Sequence, residues 1–176
     1  LAVAHVDLTS LGVLEAPGAY GCNMAIGEGQ SVGNAQSYGG PHYGFLASRT
    51  AFIRRLPGRI VGQTTDLNGD RGFVLTLQTR EQHIRREKAT SNICTAQVLL
   101  AVIAGMYAVY HGPEGLTTIA RRVHRMTAIL KEGLERLGFT VPTQAFFDTI
   151  TVATGVKTAD ILAAEPVARL EAAWRG

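Results

Sequence analysis

A group of basic and hydroxyl side chains precedes the start of a predicted helix. Residues 80–88 contain four cations, and Thr90 and Ser91 follow them, ahead of a helix predicted from Thr95 onward. The first N–H groups of a helix have no partner within it and lie at the positive end of its dipole, so together with hydroxyls they can bind phosphate. The segment predicts either a phosphate site or an ordinary N-cap beside a solvated charged turn.

A second candidate for chemistry is the glycine-rich stretch at residues 27–44. It holds six glycines and follows a short apolar run at residues 22–27 that is typical of a buried strand. Glycine lets the backbone approach a ligand or a partner closely. The spacing differs from G-x-G-x-x-G opening a helix, and the sequence contains no P-loop lysine pattern. Neither kind of nucleotide-binding loop is predicted.

Other familiar reaction centres are missing from the sequence. The histidines lack the spacing of metal ligands, and no serine lies in a G-x-S-x-G elbow. Cys22 and Cys94 are far apart and outside any C-x-x-C pair, so we expect reduced thiols. We predict no metal site and no catalytic residue within this chain.

Composition limits the class of protein. The chain has 176 residues, of which 46% are hydrophobic, and a net charge of +3, and this composition excludes extensive disorder. Its two cysteines are too few for a disulfide scaffold. Nine bases and five acids lie between residues 79 and 136. This excess permits a nucleic-acid surface, but the acids are interleaved and no aromatic lies between Phe73 and Tyr107. A solvated, mixed-charge helical face is favoured.

Hydrophobic patterning predicts an α/β fold. Strands are expected at residues 2–8, 22–27, 43–47 and 146–152, with a short helix at residues 50–56. Asn68-Gly69 predicts a β-hairpin with a type I′ turn. The apolar run at residues 98–110 is too short to span a bilayer and predicts a buried core helix that ends at His111-Gly112-Pro113.

A second helix is predicted to begin at Pro113. Apolar residues recur along it at steps of three and four, and this pattern predicts one buried stripe. The stripe comprises Leu116, Ile119, Val123, Met126, Leu130, Leu134 and Leu137. Further helical segments are expected at residues 159–164 and 168–174.

Several segments together resemble the glycine dehydrogenase (decarboxylating) family, the P-proteins of the glycine cleavage system. They are GEGQS (27–31), YGGPHYGF (38–45), LPGRIVG (56–62), LQTREQHIRREKATSNICT (77–95) and YAVYHGP (107–113). The unbroken run at residues 78–95 is the most specific of them. The resemblance fades after about residue 147.

The resemblance implies part of a fold-type I pyridoxal-phosphate transferase. Residues 1–112 would be the later part of its large domain, and residues 113–176 would be the connecting helix and the start of the small C-terminal domain. The implied activity is decarboxylation of glycine on pyridoxal phosphate, with transfer of the aminomethyl group to the lipoyl arm of H-protein. The cofactor supplies the electron sink and the protein positions it.

The resemblance also draws attention to a missing lysine. The family consists of two homologous halves, fused or separate, and only one half carries His-Lys after a buried strand, where the lysine forms the Schiff base. The matching position here is Gly29-Gln30, and the chain's three lysines are Lys88, Lys131 and Lys157. A glutamine amide cannot form an imine. We therefore expect the half without the lysine, inactive alone and associated with a lysine-bearing companion half in a homo- or hetero-oligomer.

The resemblance assigns a cofactor role to the helix-entry segment. In fold-type I dimers a loop of the partner commonly reaches the cofactor phosphate, so Thr90, Ser91 and Asn92 are our candidate cofactor-binding residues, with a structural cap as the alternative. Residues 39–42 are expected to line the substrate or lipoyl entrance, or else to form a turn packed between the halves.

Two other functions remain open from the sequence. The chain could be a binding or regulatory module derived from the half without the lysine, or a relative of another fold-type I pyridoxal enzyme, although the latter would need a Schiff-base lysine. The resemblance implies a cytoplasmic location in bacteria or the mitochondrial matrix in eukaryotes. Because the sequence opens at Leu1 rather than Met, we expect a piece of a longer protein.

Overall fold

The computed structural model describes residues 1–56, 59–77, 81–89 and 97–164. The chain divides into two compact units, Leu1–Leu116 and Thr117–Gly176. In the described residues, the first unit holds two small sheets and the beginning of a long helix, and the second holds the rest of that helix and a short one. The predicted α/β class is confirmed.

The first sheet joins three short strands in chain order: β1 (Val3–His5), β2 (Met24–Glu28) and β3 (Gly44–Ser48). β1 runs parallel to β2, whereas β3 runs antiparallel to it, with Glu28 opposite Gly44. The strands predicted in these regions are confirmed with shifted ends. Because β3 starts beside the end of β2, residues 29–43 form a loop that leaves and re-enters the same edge of the sheet.

The second sheet is the predicted hairpin, formed by β4 (Ile60–Thr65) and β5 (Arg71–Thr76). The predicted type I′ turn is wrong, because that turn needs positive φ at both central residues and only Gly69, at +89°, has it here. The carboxylate of Asp66 instead accepts the N–H groups of Asn68 and Asp70 at 2.8 and 2.9 Å. This side-chain cap stabilises a longer loop.

The helices are α1 (Gln82–Arg85), α2 (Val98–Arg136) and α3 (Thr158–Ala164). α2 is broken at Gly112, which has φ +62° and ψ −179°, directly before Pro113. The predicted end of one helix and start of another are therefore confirmed. The segment predicted as a short helix near residue 50 is a 3-10 helix, Thr50–Arg55. The helix predicted at residues 168–174 lies outside the described residues.

The prediction that residues 98–110 form a buried core helix is wrong for one of the two faces. A stripe on α2, here called the apolar stripe, is exposed: Leu99, Val102, Met106 and Val109 are 54–76% accessible. The opposite face, which includes Leu100, Ile103 and Tyr107, is half-buried. An all-round apolar sequence does not show which face finds a partner. In the part of the chain that the structure describes, no helix is long and apolar enough to cross a membrane.

The stripe predicted on the later part of α2 is buried only in part. The most buried positions in this part of α2 are Ala120 and Thr127, which lie outside the predicted stripe and one heptad apart. The Thr127 hydroxyl donates to the Val123 carbonyl at 3.1 Å. Met126, Leu130 and Leu137 are more than half exposed. The most buried face of this part of α2 therefore carries the small residues Ala120 and Thr127 rather than the predicted stripe.

The strand predicted at residues 146–152 is not formed. The described pairing in this region is a single bridge between Thr140 and Ala153, whereas a strand needs a continuous neighbour. Phe147 is held by α2 instead, since its carbonyl lies 3.0 Å from Nδ1 of His124 and its ring stacks on the same imidazole. Phe146 and Phe147 therefore pack against His124 of the helix rather than pair in a sheet.

Candidate functional site

The loop of residues 29–43 is here called the glycine loop, and residues 28–30 and 43, where it leaves and rejoins the sheet, are called its neck. One carboxylate closes this neck. Oε1 of Glu28, the last residue of β2, accepts the backbone N–H groups of Gly29, Gln30 and Tyr43, each at 2.9 Å. Gly29 also donates to the Tyr43 carbonyl at 2.8 Å. One side chain thus binds both ends of the loop.

The side chain of Gln30 braces the loop from within. Its Nε2 donates to the Pro41 carbonyl at 3.0 Å. A Cβ added at Gly40 would lie 2.9 Å from that Nε2 and 3.2 Å from Nδ1 of His42, so a side chain there would displace the brace, and the φ of +117° at this residue also favours glycine. Nδ1 of His42 in turn lies 3.3 Å from the Gly39 carbonyl. The glutamine amide therefore serves as a structural brace.

A second glycine is required where the loop leaves the sheet. Gly29 is buried against Tyr43, and a Cβ at Gly29 would overlap that phenol ring, including its hydroxyl at 2.5 Å. The Tyr43 ring thus packs directly on the backbone of Gly29, one of the residues whose N–H group Glu28 accepts. The glycine density of the sequence here serves close packing.

The neck is joined to the end of β1 through Asp7. Its Oδ2 accepts the Ser31 hydroxyl at 3.2 Å, and its Oδ1 accepts the backbone N–H of Ser10 at 3.0 Å. Ser10 is buried and returns a hydrogen bond from its hydroxyl to the Asp7 carbonyl at 2.7 Å. The residues that follow the two parallel strands therefore meet at one edge, the edge where α/β sheets place their ligand sites.

The loop is also attached to α2. Nδ2 of Asn34 donates to the Leu100 carbonyl at 3.4 Å. Gly33, at φ +81°, lies against Tyr107, whose Cβ would be 2.9 Å from an added methyl group. The far side of the loop therefore rests on the half-buried face of the helix.

The electrostatics of the neck favour an ionised Glu28. Desolvation, the largest single effect, raises its pKa, but the hydrogen bonds from Tyr43, Gln30 and Gly29 and the charge of His42 outweigh it, so the pKa is below the ordinary glutamate value. Burial, and then the negative charge of Glu28, raise the pKa of the Tyr43 hydroxyl. At neutral pH the neck holds a carboxylate beside a neutral phenol.

We expect the closure of the glycine loop to be lost in acid. Because the pKa of Glu28 is lower in the folded chain than in the unfolded one, its stabilising effect is complete above the ordinary value of about 4.3 and disappears as the pH falls through the lower folded-state pKa. The amide ¹H and ¹⁵N shifts of Gly29, Gln30 and Tyr43 should move together, with one midpoint below the ordinary value.

Glu28→Gln is the matched control for this titration. Its amide oxygen still accepts hydrogen bonds but has no proton to gain, so the three amide shifts should show no common transition. Separate midpoints, or a common one above the ordinary glutamate pKa, would contradict a carboxylate held by these three donors.

The structure leaves the predicted cofactor-binding residues untested. Thr90, Ser91 and Asn92 lie outside the described residues, so their assignment stays a prediction. The three lysines are described: Lys88 ends a 3-10 turn, Lys131 pairs with Glu135 on α2, and Lys157 lies 5.6 Å from the Phe139 ring. None of them follows a buried strand, as the sequence predicts.

Two carboxylates were missed by sequence reasoning. Glu28 could have been found from its place between Gly27 and Gly29 at the end of a predicted strand, where free N–H groups are close. Glu81 is 3% exposed, and its Oε1 has no hydrogen-bond partner among the residues that the structure describes. It lies within a charged run, and no sequence signal distinguishes it from its solvated neighbours. Among the described residues, no cluster of three or more histidine, cysteine or acidic side chains could hold a metal ion.

Comparison with known families identifies the family of the chain. The family described as "Glycine cleavage system P-protein" matches residues 1–173, nearly the whole chain. The chain belongs to that family. The resemblance stated from the sequence motifs is thereby confirmed, and the glycine loop and α2 are P-protein elements.

Curated P-protein relatives are similar along most of the chain. Glycine dehydrogenase (decarboxylating) of Rhodopseudomonas palustris (strain BisA53) is 61% identical over 163 residues, which is 93% of this chain and 17% of that protein. The protein of the same name from Bradyrhizobium sp. (strain ORS 278) is 54% identical over the full chain, 18% of its own length. The chain thus spans less than a fifth of the relatives it matches.

A solved P-protein structure has the same fold. A crystal structure of glycine decarboxylase (P-protein) of the glycine cleavage system, in inhibitor-bound form, superposes with a TM-score of 0.72 at 50% identity, covering 84% of this chain and 33% of that one. The fold-type I class predicted from the resemblance is confirmed by this likeness. The domain boundary predicted after residue 112 stays a prediction.

The residues of this P-protein segment do not fit a covalently held pyridoxal phosphate. An imine needs an amine, and at the position where the resemblance expects the lysine of the other half, the end of β2, this chain has the amide of Gln30, which is engaged with Pro41. The chain's three lysines are elsewhere. No reaction step through the cofactor is therefore derived for this chain.

Proposed function

We propose that this chain is a segment of a glycine dehydrogenase (aminomethyl-transferring), from the half that lacks the Schiff-base lysine. The complete enzyme would decarboxylate glycine on pyridoxal phosphate and pass the aminomethyl group to the lipoyl arm of H-protein. The observation that carries this proposal is the combination of family membership with Gln30 as a brace at the end of β2. A lysine-bearing companion half would hold the cofactor, and this segment would be inactive alone.

The role proposed for this segment is to shape the site that the companion half completes. The Glu28 carboxylate and the Gln30 amide hold the glycine loop at the edge of the sheet. Thr90, Ser91 and Asn92 would reach the cofactor phosphate as hydrogen-bond donors at a helix entry. Residues 39–42 would line the approach to the substrate or to the lipoyl arm.

The exposed apolar surface supports association with a larger assembly. The apolar stripe of α2 has no charged residue between Val98 and Pro113, and the hairpin exposes Val61, Phe73 and Leu75 on one face. Apolar surfaces of this kind are typical of protein interfaces. They are consistent with a chain that packs against further parts of the P-protein.

Reductive trapping tests the assignment of the lysine. When the complete enzyme is loaded with pyridoxal phosphate and reduced with borohydride, we expect one label per active site, mapped by mass spectrometry to a lysine outside this segment. The isolated 176-residue chain should retain no stoichiometric label, since it offers no strand-end amine. The complete enzyme should also exchange the glycine carboxyl with labelled bicarbonate, whereas the isolated chain should not.

The matched control replaces Lys88, Lys131 and Lys157 together by arginine, which preserves the charge but cannot form the imine. In the complete enzyme this triple variant should be labelled as fully as the parent. Loss of the label in the variant, or its location on one of these three lysines, would refute the proposed division between the halves.

The Gln30 amide is also compatible with a second function. A chain without the imine lysine can still bind a companion, so a non-catalytic binding or regulatory module remains the alternative. A complete enzyme that fails to exchange the glycine carboxyl while still binding its companion half would favour this alternative.

A further inference from the structure

A glycine lies in the middle of an exposed helix face. Gly105 belongs to the part of α2 that precedes its break, and nothing lies within 4 Å of a Cβ added to it. Its backbone is helical, so neither a turn nor a positive φ requires a glycine. Glycine destabilises a helix interior relative to alanine. The described residues of this chain therefore contain no contact that explains it.

The residues around Gly105 form an uncharged apolar surface. Val102 precedes it by three residues and Val109 follows it by four, so both border it on one face of the helix. Their side chains are 54% and 76% exposed, and Ala101 is exposed beside them. Residues 98–113 contain no charged side chain. Permanent interfaces are more apolar than transient ones, so the composition favours a surface that is covered permanently.

The first compact unit lacks an apolar core of its own. Among the described residues of Leu1–Leu116, no leucine, isoleucine, valine, methionine, alanine or aromatic side chain is buried. A stable domain buries its apolar faces around one core. The missing core has to be supplied by polypeptide that folds together with this unit. A separately folded half would cover one surface but would not replace a core.

P-proteins contain enough polypeptide to supply this core. The matched segment is less than a fifth of the Rhodopseudomonas palustris relative and 33% of the solved P-protein chain. We propose that an apolar element of the same P-protein half, from outside this segment, packs on α2 with its closest approach at Gly105. This inference rests on the proposed function, in which the chain is a segment of that half. The element is here called the covering element.

The glycine determines how closely the covering element approaches. Without a Cβ at Gly105, the helix backbone is accessible between Val102 and Val109, and an apolar side chain of the covering element can reach it. Protein interiors contain few voids, so this space is filled when the element is in place. The helix face is convex, whereas small molecules bind in concave sites. A second copy of this chain would leave the remaining apolar faces of the unit without a core.

Alanine at residue 105 tests the close approach in the complete enzyme. There Gly105→Ala should lower the midpoint of thermal unfolding by about 3 °C, because its methyl group overpacks a filled contact. Gly133→Ala is the matched control, since Gly133 lies later in α2 and its added Cβ also has nothing within 4 Å. This control should leave the midpoint unchanged or raise it. If Gly105→Ala is not less stable than both the parent and Gly133→Ala, the proposal is overturned.

Crosslinking identifies the covering element. Photo-methionine incorporated into the complete enzyme places a diazirine at Met106, next to Gly105 and 63% exposed in this chain. Mass spectrometry should map the crosslink from Met106 to residues of the same half outside this segment. Crosslinks to the companion half, or to a second copy in a mixture of ¹⁵N-labelled and unlabelled enzyme, would overturn the proposal, as would the absence of any crosslink.

Exchange of the glycine carboxyl, measured on the same preparation, separates the two proposals. If the parent enzyme exchanges the carboxyl but Met106 crosslinks elsewhere, the inference fails and the proposed function stands. If the parent does not exchange it, the proposed function fails, and the crosslink still decides whether α2 is covered from within the half.

Discussion

Gly27→Ala is expected to lower the free energy of unfolding of the chain by about 3 kcal/mol, the upper range for overpacking a well-filled site. Gly27 lies in β2 between β1 and β3. An added Cβ would overlap the Val6 carbonyl oxygen and would lie 2.6 Å from Cε1 of Phe45, the residue opposite it. The carbonyl cannot rotate away, because it is backbone. The sheet must separate locally, and urea unfolding followed by circular dichroism measures the loss.

Gly44→Ala is the matched control for Gly27→Ala. Gly44 lies at the start of β3 in the same sheet, and the atom nearest to its added Cβ is the Gly27 carbonyl oxygen at 3.8 Å, an ordinary contact. Its free energy of unfolding should stay within about 0.5 kcal/mol of the parent. Similar losses for the two variants would show that close packing at Gly27 is not the cause.

The second large effect is expected at Gly112, where α2 is broken. Its φ of +62° and ψ of −179° fall in a region that only glycine occupies readily. Gly112→Ala should therefore cost about 1–3 kcal/mol in thermal or urea unfolding. Alanine favours a continuous helix, but Pro113 lacks the N–H that such a helix requires.

Gly105→Ala tests the same substitution within an unbroken turn of the same helix. Nothing lies within 4 Å of its added Cβ, and its backbone is helical, so alanine should stabilise the chain by about 0.5–1 kcal/mol. The two variants should thus change stability in opposite directions. Stabilisation by Gly112→Ala would contradict the break in α2.

Local signals in the sequence predicted most of the elements but not their surroundings. The strands around residues 24 and 44 and the break at Gly112 follow from glycine and proline positions and apolar runs. The turn type at Asn68-Gly69 was missed because the Asp66 carboxylate, a side-chain hydrogen bond, selects the loop. The strand predicted at residues 146–152 failed because its pairing depends on a neighbour distant in sequence, and His124 takes its place.

The sequence predicted where the candidate site lies, but not the hydrogen bonds that form it. The family resemblance predicts that Gln30 stands where the other half has its imine lysine, and this stays a prediction, whereas the hydrogen bond from Gln30 to Pro41 joins residues that sequence spacing does not connect. Glu28 is similar, since its three donors come from both ends of a loop. The exposure of the apolar stripe could not be predicted either, because composition gives no information on which face of a helix is covered.

The closed neck has a consequence for how this family can vary. Because Glu28 joins both ends of the glycine loop beside the Glu28–Gly44 pair, the strands on either side are held in register independently of what lies between. The entropy of closing a loop grows slowly with its length, about 0.6 kcal/mol for each doubling. Between the attachment of Asn34 to α2 and the Gln30–Pro41 brace, residues can be inserted at small cost, which makes this part of the loop a natural position for grafting a new recognition sequence onto an unchanged scaffold.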